Sequence, residues 1–177
     1  MSEVYRKVKG RTRLLERISL FIPGFRGYKE KELRREADRL VREYLLRRLR
    51  NSYEDFKGVM ALIASSGTAP LFELYNQSQA VFDRTIARLR TADYGYSGFF
   101  DAAKIEEPEL DKLLEYDYGL LEAVERIAKR VAEVREAALT GDQAKLAGSL
   151  SDLRKELESL DDLLIKREDL ITGIGKR

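Results

Sequence analysis

The sequence predicts an all-α protein, an elongated helical bundle of about five helices with a C-terminal antiparallel coiled-coil hairpin. Three observations carry that expectation. Apolar residues recur at helical spacing in every long stretch. Two seams of four-three apolar spacing lie near the C-terminus, joined by the tight turn "TGD". The prolines Pro23, Pro70 and Pro108 each stand where a helix begins or ends.

The first element spans residues 3 to about 21 as an amphipathic helix. Val4, Val8, Leu15, Ile18 and Ile22 form its apolar stripe, and Arg6, Lys9, Arg13 and Arg17 lie opposite. Arg11 intrudes on the stripe, and Gly10 weakens the helix by ~1 kcal/mol relative to alanine. "IPGFRGY" then breaks it. Pro23 pushes Ile22 out of helical geometry, and Gly24 and Gly27 permit a sharp turn. Phe21, Phe25 and Tyr28 flank this hinge and are expected to pack it down, with the first helix docked.

From Tyr28 the helical pattern resumes and is expected to run unbroken to about Ser65. Leu33, Ala37, Leu40, Val41, Tyr44 and Leu45 start its apolar face, and Leu49, Tyr53, Phe56, Met60 and Ile63 continue it. Nine basic residues between Lys29 and Arg50 surround that face. Acids are interleaved with them, and Glu30–Arg34 and Asp38–Arg42 sit at i,i+4 spacing. Gly67 is expected to end this helix, Thr68 to cap the next, and Pro70 to lie in its first turn. Leu71, Leu74, Tyr75, Val81, Phe82, Ile86 and Leu89 supply the buried face there.

One long irregular segment follows, "ADYGYSGFFDAAKIEE", residues 92 to 107. Its aromatics Tyr94, Tyr96, Phe99 and Phe100 predict a loop folded over one end of the bundle as a structural lid; a ligand pocket or partner-docking knob is the competing reading. Pro108 opens a helix running to about Leu139, Gly141 and Asp142 make the turn, and a last helix runs to about Ile171. Leu113, Asp117, Leu120, Val124, Ile127, Val131, Val134 and Ala138 form one seam. Leu146, Leu150, Leu153, Leu157, Leu160 and Leu164 form the other. Asp117 is the break in the pattern. A carboxylate in an apolar seam costs several kcal/mol unless paired, so a partner is expected: Arg11, Arg48 or a tyrosine hydroxyl. Its expected role is register and specificity rather than catalysis.

Composition bounds the chemistry. The chain has 177 residues, 44% of them apolar, enough for one folded domain over 1–177. That domain divides by composition into basic N-terminal helices (1–57), a middle helix with the aromatic loop (58–107) and an acidic hairpin (108–172). Residues 1 to 57 carry 17 basic and 9 acidic groups, a net of +8, against a net of −6 in the remainder. Such asymmetry points to an anionic partner or to attraction within the fold. Cysteine and histidine are both absent, so thiolate chemistry, a Glu-x-x-His di-iron site and histidine-based triads cannot be built. "TGIGKR" lacks the spacing of a phosphate-binding loop, and the adjacent pairs Glu106–Glu107 and Asp161–Asp162 diverge on a helix and make poor metal cages. No enzyme, cofactor or metal is expected. No apolar run reaches the ~20 residues that span a bilayer, and the N-terminus lacks the pattern of a signal peptide or anchor. Two Asn, three Gln and a charged fraction of 36% lean toward a thermophile, although Arg outnumbers Lys.

The stretches "IPGFRGYKEKELRREADRLVREYL" and "ADYGYSGFFDAAKIEEPELDKLLEYDYGLLEAV" resemble an uncharacterised group of prokaryotic all-helical proteins. That resemblance covers most of the chain and implies a helical fold, but no activity. The pairing of an amphipathic N-terminal helix with a helical hairpin is similar in shape to phage-shock membrane-remodelling proteins, with the elements in a different order.

The functional expectation is a non-enzymatic scaffold or adaptor, cytoplasmic and peripheral to the membrane. It would meet an anionic membrane surface through Arg6, Lys9, Arg13, Arg17, Arg34 and Arg35. The alternatives are nucleic-acid binding by the Arg-rich helix 29–50 and a protein–protein oligomerisation module, including a homo-oligomer through the hairpin.

Overall fold

A computed structural model describes residues 3–66, 68–91 and 105–174. Among them are five long helices, one short helix and one 3-10 turn, with no strand. They are α1 (Glu3–Phe21), a 3-10 turn (Lys31–Leu33), α2 (Arg34–Lys57), α3 (Met60–Ser66), α4 (Ala69–Thr91), α5 (Glu107–Thr140) and α6 (Gln143–Ile174). The aromatic loop residues Tyr94, Tyr96, Phe99 and Phe100 lie outside the described residues.

The helix expected from Tyr28 to Ser65 differs at two points. It starts late, because Tyr28 is buried and Arg34 reaches back, its Nε donating to the Tyr28 carbonyl at 2.8 Å. It also breaks at Gly58. The Val59 amide bonds back only three residues, to Phe56 O at 3.0 Å, and Val59 O then accepts from Leu62 and Ile63 to start α3. Glycine is the weakest helix former after proline, so the break falls where propensity is lowest.

The chain gathers into two compact units. One comprises Met1–Tyr44, Ala92–Glu122 and Leu163–Arg177; the other comprises Leu45–Thr91 and Ala123–Asp162. The units do not follow the compositional blocks, because α2, α5 and α6 each contribute a segment to both.

In the second unit the pairings fix the directions. Lys145 meets Glu136 and Arg126 meets Glu156, so α5 and α6 run antiparallel. Arg154 meets Gln77 and Arg84 meets Asp161, both 77 positions apart, so α4 runs parallel to α6. The turn follows its sequence signals. Gly141 takes φ +71, and Asp142 Oδ1 accepts the Lys145 amide at 2.9 Å as an N-cap. The seam leucines from Leu146 to Leu160 are all buried. Phe56 stacks on Tyr75 at 4.5 Å and Tyr53 on Phe82 at 5.0 Å. Asp161 is buried and takes Arg84 and Arg88 at 2.9 Å each. Thr68 stands at the start of α4, yet its buried hydroxyl caps nothing among the described residues.

In the first unit α1 lies parallel to the first half of α5, since Arg11 meets Asp111 and Arg17 meets Glu122. The hinge is packed: Ile22, Phe25 and Tyr28 are buried, and Phe25 meets Tyr28 edge-on at 5.9 Å. Gly24 at φ +84 and Gly27 at φ +77 make the turn.

Candidate functional site

The apolar stripe of α1 is used inside the first unit. Ile18 and Ile22 are buried and Leu15 is half-buried. Val8 is not part of that contact and is exposed, because Arg11 takes the inward position near it. The Arg11 guanidinium grips Asp111 through two nitrogens and reaches Glu107 at 3.4 Å. The hydrogen bonds that Arg11 donates to Asp111 hold its proton more tightly than usual, against the opposing effect of burial. Arg11 therefore serves as a docking clamp on α5, not as a partner of Asp117.

The opposite side of α1 faces outward. Lys9, Arg13 and Arg17 recur every four residues and are all exposed. Leu20, three residues beyond Arg17, is 84% exposed. That spacing places three cations and one apolar tip on a single helix face. Arg17 also lies 4.2 Å over the Tyr118 ring and meets Glu122 at 3.4 Å, both contacts at exposed or half-exposed positions. Arg6 belongs to α1, but its side chain lies outside the described ones.

Two other expected surface cations sit differently. Arg35 is exposed on α2. Arg34 is buried, with 6% exposure, and its Nη1 finds no partner among the described residues. It braces the hinge carbonyl of Tyr28 and cannot reach a surface ligand without leaving the core.

Asp117 is fully buried, and its two partners come from the hinge and from α6. Tyr28 donates its hydroxyl to Asp117 Oδ2 at 2.5 Å. Arg167 of α6 donates Nε to Asp117 Oδ1 at 2.7 Å and Nη2 to Asp38 Oδ1 at 2.8 Å. Asp38 in turn takes Arg42 at 2.7 Å. Two carboxylates and two guanidinium groups thus balance in charge, and a tyrosine hydroxyl closes the network. Burial pushes the Asp117 carboxyl above its ordinary range, and Arg167 and the Tyr28 bond pull the other way. Burial, reinforced by Asp117, raises the Tyr28 hydroxyl well above its ordinary value. A phenol held neutral serves as a fixed donor.

Arg48, the other basic candidate for Asp117, meets Glu125 instead. Arg167 is the member that sequence reasoning did not name, and Asp38 was read only as the i,i+4 partner of Arg42, a pairing that the structure bears out. Arg167 had a signal: the four-three seam through Leu160 and Leu164 lands on it three residues later. Tyr28 and Asp38 join through contacts 89 and 129 residues long, for which no local pattern exists.

Both carboxylates of the network are paired with guanidinium groups inside it, an arrangement that can fix the position of three elements. Among the described residues no group of three or more carboxylates converges as a metal site, and no helix is long and apolar enough to cross a membrane. No family model matches the chain, and neither a curated protein nor a solved structure does.

Proposed function

We propose that this chain is a non-enzymatic helical scaffold that attaches peripherally to an anionic membrane surface, and that the outward face of docked α1 makes the contact. The observation that carries this reading is the alignment of Lys9, Arg13 and Arg17 with the 84% exposed Leu20 on one face. Cations near an anionic leaflet contribute ~1 kcal/mol each, and one apolar side chain entering the headgroup boundary adds to them. The arrangement inverts the simplest amphipathic-helix picture. The end of the apolar stripe at Ile18 and Ile22 stays in the core, and the basic face itself meets the lipid.

The Arg-rich stretch of α2 favours this reading over nucleic acid, because much of its charge is spent nearby. Arg39 pairs with Glu36 and Glu43, Arg42 with Asp38, and Arg48 with Glu125. Flotation with phosphatidylserine-containing vesicles tests the proposal. Wild type is expected to float with anionic vesicles at low salt and to stay behind with phosphatidylcholine alone. Leu20→Ser combined with Arg13→Glu is expected to lose flotation with little change in Tm, since both side chains are exposed. A wild type that ignores anionic vesicles at low salt would overturn the proposal.

A further inference from the structure

The first unit holds a cleft of about 150 Å³ between the hinge, α1 and the start of α5. Its floor is apolar. Leu15 and Leu114 converge on Gly27, where an added β-carbon would lie 2.7 Å from Leu15 Cδ2 and 3.8 Å from Leu114 Cδ2. Leu110, from the next turn of α5, also lines it. The φ of +77 favours glycine at this position, and Leu15 packs closely against it.

The rim is charged, and the charges are not evenly spent. Glu107 and Asp111 are both engaged by Arg11. Arg26 and Lys29 flank the glycine on the hinge, are exposed, and have no ionic or hydrogen-bond partner among the described residues. The remaining acid, Glu30, makes no cap hydrogen bond. Arg26 and Lys29 are therefore two unpaired cations on the hinge side of an apolar floor, with Glu30 next to Lys29 in the chain. A cavity of roughly 150 Å³ holds one benzene-sized group.

From this geometry we infer that the cleft binds a small aromatic carboxylate, its ring on Leu15, Leu110 and Leu114 and its carboxylate between Arg26 and Lys29. Pockets that bind small molecules combine such an apolar lining with a few polar groups that set orientation. The rim as a whole is neutral, with Arg11, Arg26 and Lys29 against Glu30, Glu107 and Asp111, so the preference for a carboxylate comes from the two unpaired cations, and the volume limits the ligand to a single ring. The site is separate from the outward face of α1, so it stands whether or not the chain binds lipid.

The test is a titration of the full chain followed by amide NMR, with benzoate, benzyl alcohol and benzylamine as probes. Benzoate is expected to shift the amides of Gly27, Leu110 and Leu114. It should bind about tenfold tighter than the other two, the contribution of one charge-assisted hydrogen bond. The double variant Arg26→Ala, Lys29→Ala should bind benzoate no better than benzyl alcohol, while its benzyl alcohol affinity stays at the wild-type level. That second measurement separates loss of charge from loss of the cleft. Benzoate binding no tighter than benzyl alcohol, shifts centred away from the cleft, or a double variant that keeps its preference would each overturn the inference.

Discussion

Asp117 shows how one residue can specify a layer of a helical bundle. It stands where an apolar seam calls for leucine, and Arg167 stands in the same seam of the facing helix. Burying either alone leaves an uncompensated charge; burying both, with Tyr28, Asp38 and the Arg42 that pairs with Asp38, leaves a neutral network. Asp117→Ala is therefore expected to lower stability by about 3–5 kcal/mol in chemical denaturation, since it strands part of the Arg167 guanidinium. A loss below ~1 kcal/mol would mean that Asp38 alone satisfies Arg167. The raised Asp117 carboxyl adds a pH test. When a folded-state pKa lies above the unfolded one, the native protein binds the proton first. Stability then rises as pH falls from neutral through the folded value, and the gain is complete below the unfolded value of about 3.9. Wild type should accordingly gain stability relative to Asp117→Asn, whose side chain cannot ionise, as the pH is lowered. A relative loss would place the Asp117 pKa below its ordinary value. The seam itself exposed this residue in the sequence, because a charge interrupts a strict repeat. The identity of its partners was not legible, because Tyr28 reaches it from a hinge 89 residues away.

At the scale of elements, helix ends separate what local sequence decides from what packing decides. The α5–α6 turn was readable from "TGD", since a positive-φ glycine and an aspartate cap are purely local devices. Thr68 was equally plausible as a cap, yet its hydroxyl is buried and unpartnered among the described residues. The two caps predict opposite outcomes. Asp142→Ala should destabilise by about 1 kcal/mol, the usual loss of an N-cap bond. Thr68→Val, similar in shape, should be neutral or slightly stabilising, because it removes a polar group that forms no bond. A loss of ~1 kcal/mol for Thr68→Val in the same denaturation assay would show that its hydroxyl does cap α4. The break at Gly58 was visible as a glycine inside a helical run, but apolar periodicity read straight across it from Phe56 to Met60 and Ile63; the break shifts the register, so that Val59 is buried and Met60 is exposed. Periodicity reports which face is buried; it does not report whether the backbone is continuous. For the same reason Arg34 read as a surface cation, although its place next to the hinge buries it.

Across the whole molecule, a net charge of +2 is too small to explain attraction to an anionic surface by itself, so any such attraction must come from where the charges lie. Much of the excess of positive charge in residues 1 to 57 is spent in pairs, such as Arg11 with Asp111 and Arg48 with Glu125. The face of α1 is where exposed cations and an exposed leucine coincide. Two charge-matched variants separate position from net charge. The first reverses Lys9, Arg13 and Arg17 to glutamate; the second reverses Lys129, Arg135 and Lys166, which are exposed on α5 and α6. Each reversal subtracts two charges, so either trio takes the chain from +2 to −4. Both sets are at the surface, so each Tm should stay close to wild type. Flotation with anionic vesicles at low ionic strength should be lost in the first variant and retained in the second. Raising the salt should release wild type as the Debye length falls from ~30 Å at 0.01 M to ~8 Å at physiological strength, while the buried Asp117–Arg167 pair is screened far less. Equal loss in both variants would assign the binding to net charge, and retention in the first would remove α1 as the contact.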